Sequence, residues 1–150
     1  MAFESRYWRT QLKRDISFIA KKIDISVVDM KPDDLDTIFS QIEIKLFTIT
    51  YSLRKLMDTR KFPDTIAEKN VQVVSYRRNE KPIKPFGMFA DYYELDSGTE
   101  LVKKSLREIC NQFTHAYFFN PVPNSEGRIK DIFFVSDRDR EKCLYSFKMS

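Results

Sequence analysis

The chain contains one histidine, His115, and the residues at helical spacing around it define the chemistry open to it. Over Leu101 to Phe119 the apolar residues Val102, Leu106, Ile109, Phe113 and Ala116 or Tyr117 recur at three- and four-residue steps, the stripe of a core-facing helix. At ~100° of rotation per residue, Arg107, Asn111 and His115 fall together on the opposite side. An imidazole transfers protons near neutral pH, and an amide one turn earlier can fix which ring nitrogen carries the proton. A guanidinium stabilises charge building on phosphorus. These three residues are the candidate catalytic group, and Ser97 or Thr99 is the expected cap of their helix.

Other chemistries lack their residues. One histidine and two distant cysteines, Cys110 and Cys143, do not make a zinc set, and three ungrouped glycines make no phosphate loop. No metal or cofactor is expected. The net charge of +4 is modest, and the basic residues are spread along the chain, so it is compatible with an anionic partner without demanding one. Arg77, Arg78, Lys103 and Lys104, with Lys81 and Lys84, are the candidate nucleic-acid contacts. The cysteines read as small buried thiols in a reducing cytosol. No apolar run approaches the ~20 residues of a bilayer span, so no membrane is expected and the expected location is cytoplasmic.

The elements that must position His115 follow from periodicity. A first helix is expected over Ser5 to Ile23, from Trp8, Leu12, Ile16, Ile19 and Ile23. Asp24 to Lys31 is a brief strand or an extended link. A second helix runs from Asp34 to about Arg60, with Asp33 and Asp34 capping its start and Pro63 beyond its end. Its middle is apolar on two sides, because Ile44, Phe47 and Tyr51 lie opposite the main stripe; it is either the centre of a bundle or a dimer contact. Val71 to Arg77 reads as a strand. Residues 79–99 carry two prolines, two glycines and no period, a long loop pinned by Phe86, Phe89, Tyr92 and Tyr93, or one that binds a partner. The C-terminus reads as a β-hairpin, Ile129 to Ser136 and Lys142 to Met149. The expected fold is thus a single α+β domain over residues 1–150, mainly α. It is a helical bundle with a small antiparallel sheet formed by the hairpin, with 71–77 a candidate third strand.

Asn111, His115 and Tyr117 together resemble the signature helix of the HEPN superfamily (higher eukaryotes and prokaryotes nucleotide-binding). Cys110 stands where that family places arginine, and Arg107 is the nearest substitute. The resemblance implies a small HEPN-like helical protein of a prokaryotic toxin-antitoxin, defence or mobile-element locus. It also implies a homodimer whose paired signature helices form one cleft, acting on RNA as a metal-independent ribonuclease or descended from one that did. Arg54, Arg77 or Arg78 would supply the missing cation in trans. The alternative is a non-enzymatic interaction module whose exposed helix face and 79–99 loop bind a protein partner.

Overall fold

The computed structural model describes residues 5–148. The first two helices form as their periodicity requires. Helix α1 spans Ser5–Ile23 and α2 spans Pro32–Asp58, and a single turn, α3, follows at Asp64–Ala67. Pro32 rather than an aspartate side chain opens α2: Lys31 is its N-cap and makes no side-chain cap bond, while Asp33 and Asp34 sit in the first turn. The two helices pack antiparallel through Leu12 and Ile19 of α1. Between them Asp15, with no exposed surface, accepts hydrogen bonds from Lys45 Nζ at 3.1 Å and Gln11 Nε2 at 3.0 Å. Trp8 meets Tyr51 at 5.6 Å between ring centroids, which covers part of the second apolar side of α2, but Ile44 stays exposed.

The rest of the chain is organised by a sheet, not by a bundle. Strands β1 (Asn70–Arg77), β2 (Thr99–Ser105), β3 (Ala116–Pro123), β4 (Ile129–Ser136) and β5 (Cys143–Lys148) form one five-stranded sheet in the order β2-β1-β5-β4-β3. Every neighbour in it is antiparallel. The C-terminal hairpin and strand 71–77 are three of the five; the helical bundle with a small sheet is the expectation this overturns. Its other two strands come from the stretch read as one helix over 101–119. Only Leu106–Thr114 of that stretch is helical (α4), with β2 before it and β3 after it.

The physical reason is local. Ser105 Oγ accepts from the Glu108 backbone N–H at 3.1 Å while Glu108 Oε2 accepts from the Ser105 N–H at 3.0 Å. This reciprocal capping box starts the helix at Leu106 and leaves Ser97 and Thr99 no capping role. At the other end, aromatic and β-sheet-compatible residues from Ala116 onward pair with β4, from Ala116 opposite Ser136 to Pro123 opposite Ile129. The apparent helical stripe survives because Val102 from β2 joins Ile109 and Phe113 from α4 in one core.

Both faces of the sheet are covered, which hides the period-2 signal in its strands. On one face α4 lies diagonally from the edge strand β2 to the edge strand β3. Phe113 stacks on Phe134 at 4.7 Å and meets Phe147 and Phe119 edge-on at 5.8 and 5.7 Å. The other face carries the loop between β1 and β2. There Phe89 stacks on Phe133 at 5.1 Å, and Tyr92 and Tyr93 pack on Phe118. Three of the four expected aromatic pins hold. Phe86 does not; it is fully exposed.

Candidate functional site

Alternation along β2 and the two-ended anchoring of α4 place the polar residues. The Leu106 N–H donates to Lys69 O at 3.0 Å, and the Asp137 N–H donates to His115 O at 2.9 Å. The helix is therefore held at its start beside β1 and at its end beside the segment leaving β4. Gln112 strengthens the second attachment: its Nε2 donates to Asp139 Oδ2 at 2.6 Å and its Oε1 accepts from the Ser136 N–H at 2.8 Å.

The solvent side of α4 forms a polar cleft of about 520 Å³. His115, Asn111, Gln112 and Glu108 come from the helix. Arg54 enters from α2, Lys104 from β2, and Arg138 with Asp139 from the segment after β4. His115 is the C-cap of α4, exposed, and its ring hydrogen-bonds to no described residue. Asn111 is exposed as well, and the bond joining the two is from the His115 backbone N–H to Asn111 O at 3.3 Å, not from amide to imidazole. Glu108 is engaged in the capping box and Asp139 with Gln112 and Lys142, so both carboxylates are already hydrogen-bonded or paired. The cations Arg54 and Arg138 have no described acid partner, and Lys104 lies over the Tyr145 ring at 5.4 Å.

The remaining candidates fall outside this cleft. Arg107 turns to the other flank of α4 and pairs with Asp58 and Glu68, both at 3.4 Å. A guanidinium already facing two carboxylates is a poor partner for phosphate. Lys103 alternates to the opposite sheet face from Lys104. Arg77 is exposed at the far end of β1, and Arg78 is structural: it bonds Glu141 at 3.1 Å, Tyr92 O at 3.1 Å and Lys81 O at 3.0 Å. Tyr117 lies under Arg140, whose guanidinium carbon is 4.3 Å from the ring centroid. Arg54 shares the cleft of its own chain rather than waiting on a second copy. Arg138 and Gln112 were not legible as site residues, since only the β3–β4 register brings position 138 beside 115.

A second cavity, of about 590 Å³, lies between α2, α4 and β1 and is lined by Leu53, Val73, Ile109 and Phe113 among other apolar side chains. It holds no group suited to proton transfer at neutral pH. Burial pushes the thiol of Cys110, on its wall, up to about 11, with the Arg54 and Arg107 charges opposing. Cys110 and Cys143 are both free thiols.

Among the described residues no group of three or more His, Cys, Asp or Glu gathers to hold a metal ion, and no helix is long and apolar enough to cross a membrane. Comparison with family models, with curated proteins and with solved structures finds no match for this chain.

Proposed function

We propose that the α4 cleft binds the phosphodiester backbone of RNA and that His115 transfers the proton in metal-independent strand cleavage. The observation that carries this reading is that an exposed imidazole shares one cleft with Arg54, Lys104 and Arg138. In the proposed reaction the ribose 2′-oxygen attacks phosphorus and gives up its proton to an imidazole. The O2′–P bond forms, the P–O5′ bond breaks, and the departing 5′-oxygen takes a proton. Charge building on the phosphoryl oxygens falls to the guanidinium and ammonium groups. With one histidine per chain, a homodimer would bring a second imidazole, so that base and acid are separate groups. The thiols of Cys110 and Cys143 suit a reducing cytoplasm.

The likeness to HEPN proteins rests on Asn111, His115 and Tyr117, and the five-stranded sheet around them is not the bundle that the likeness implied. The reading therefore stands on the cleft; a place in a prokaryotic defence or mobile-element locus would follow only from the likeness.

The test is cleavage of single-stranded RNA in the presence of EDTA. The wild-type chain should leave 2′,3′-cyclic phosphate and 5′-hydroxyl ends. His115→Ala should slow the reaction roughly 10²- to 10⁴-fold with an unchanged circular dichroism spectrum. Cleavage that survives His115→Ala, or none by the wild type, overturns the catalytic assignment.

A further inference from the structure

The loop over 79–98 is braced at many points and yet holds one large aromatic in solvent. Asn79 Nδ2 donates to Asp91 O at 2.6 Å, the Asn79 N–H donates to Tyr92 O at 2.9 Å, and Arg78 bonds Lys81 O and Tyr92 O. At its tip the Gly87 N–H donates to Lys84 O at 3.1 Å, closing a turn with Pro85 and Phe86 at its centre. Phe86 has φ 62. This is the pattern of a type II turn, whose third position normally takes glycine or asparagine, and a bulky residue there is strained. The glycine stands one position later because Tyr92 requires it: a Cβ on Gly87 would lie 1.7 Å from Tyr92 Oη, the atom that accepts the Lys84 N–H. The fold thus tolerates strain at Phe86, gains no burial from its ring, and leaves Met88 beside it exposed. Strain that contributes nothing to the core is a mark of a functional position.

We propose that the Pro85–Met88 turn is a stacking platform for an unpaired base of single-stranded RNA, with Phe86 supplying the ring and Lys81 and Lys84 the flanking phosphate contacts. The ligand class rests on the RNA reading of the cleft, but the residues are separate from it. Both lysines are exposed, and Glu80 is the one carboxylate between Arg78 and Met88. The size of the patch decides among partners. A specific protein interface buries roughly 800 Å² per partner, and one aromatic supplies roughly 150–250 Å². A single acyl chain, larger than this tip, holds a protein to a bilayer only reversibly. One base needs one ring face, and such stacking tolerates any base.

The experiment measures fluorescence anisotropy of a short labelled oligouridylate, free and annealed to its complement. The proteins are the wild type and the Phe86→Gly, Phe86→Trp, Arg54→Ala and Lys104→Ala variants. Phe86→Gly removes the ring and relieves the turn, so the thermal midpoint should stay or rise. Its affinity for the single strand should fall roughly 10-fold, with no matching loss on the duplex. Phe86→Trp should retain affinity, and the single strand should quench the added indole. Full affinity in Phe86→Gly together with losses in the Arg54 and Lys104 variants overturns the platform and leaves the cleft. Loss in Phe86→Gly with the cleft variants unaffected keeps the platform and overturns the cleft. No RNA binding by the wild type, or an indole of Phe86→Trp that responds to anionic vesicles or to a protein and not to RNA, overturns the platform.

Discussion

The side-chain amide of Gln112 is bonded at both ends, donating to Asp139 at 2.6 Å and accepting from the Ser136 N–H at 2.8 Å. One residue of α4 therefore fixes the segment that carries Arg138 relative to His115. Removing it orphans a buried N–H, because Ser136 is almost fully buried. An unsatisfied buried donor costs roughly 1–3 kcal/mol. Gln112→Ala should lower the urea unfolding midpoint by that much stability. Gln112→Glu should do no better, since it sets a second carboxylate against Asp139. A midpoint unchanged in both variants would show that the clamp carries no stability.

Neighbouring lysines on β2 provide a sharper test of the proposed nucleic-acid surface. Lys104 pairs across from Val71 and faces α4, whereas Lys103 pairs across from Gln72 and faces the other way. Removing one cation that binds a phosphate lowers the dependence of log affinity on log salt by about 1. Lys104→Ala should show that reduction, and so should Arg54→Ala. Lys103→Ala should leave the slope unchanged, as should Arg107→Ala, whose guanidinium is already paired with Asp58 and Glu68. Equal slopes for Lys103→Ala and Lys104→Ala would place the nucleic acid elsewhere.

The same pair of lysines shows where sequence reasoning holds and where it stops. The α1 and α2 helices are legible because each buries one continuous stripe whose 3.6-residue period reaches the sequence, in α2 despite the apolar Ile44 and Tyr51 on its exposed side. The β4–β5 hairpin is legible from its two apolar runs and the charged turn between them. In contrast, β2, α4 and β3 each bury residues that happen to continue one another's spacing, so three elements read as one helix. The signal that divides them is short: Ser105 and Glu108 at the spacing of a capping box, directly after Lys103 and Lys104. Within the site, His115 and Asn111 were legible because they are one turn apart on a single helix. Arg138 was not, and Arg54 was expected only as a cation from a second copy, since their approach depends on how α2 crosses α4 and on strand register, neither of which leaves a local trace.

Cys110 supplies a test of the interior next to the cleft. Its side chain is almost wholly buried and its pKa rises from the ordinary 9.0 to about 11, chiefly through burial. The folded state therefore prefers the neutral thiol more strongly than the unfolded chain does. By linkage this contribution to stability is complete below pH 9.0 and is lost as pH rises toward 11. Tyrosines and lysines also titrate in that window, so the measurement is a difference: the urea midpoint should fall with rising pH more steeply in the wild type than in Cys110→Ala. The same shift leaves the native thiolate roughly 100-fold scarcer than for an unperturbed thiol. Iodoacetamide near neutral pH should accordingly modify Cys143 first and reach Cys110 at a comparable rate only in denaturant. Equal rates in the folded protein, or parallel pH profiles for wild type and Cys110→Ala, would mean that water reaches the α2–α4 contact and that the core beneath the cleft is open.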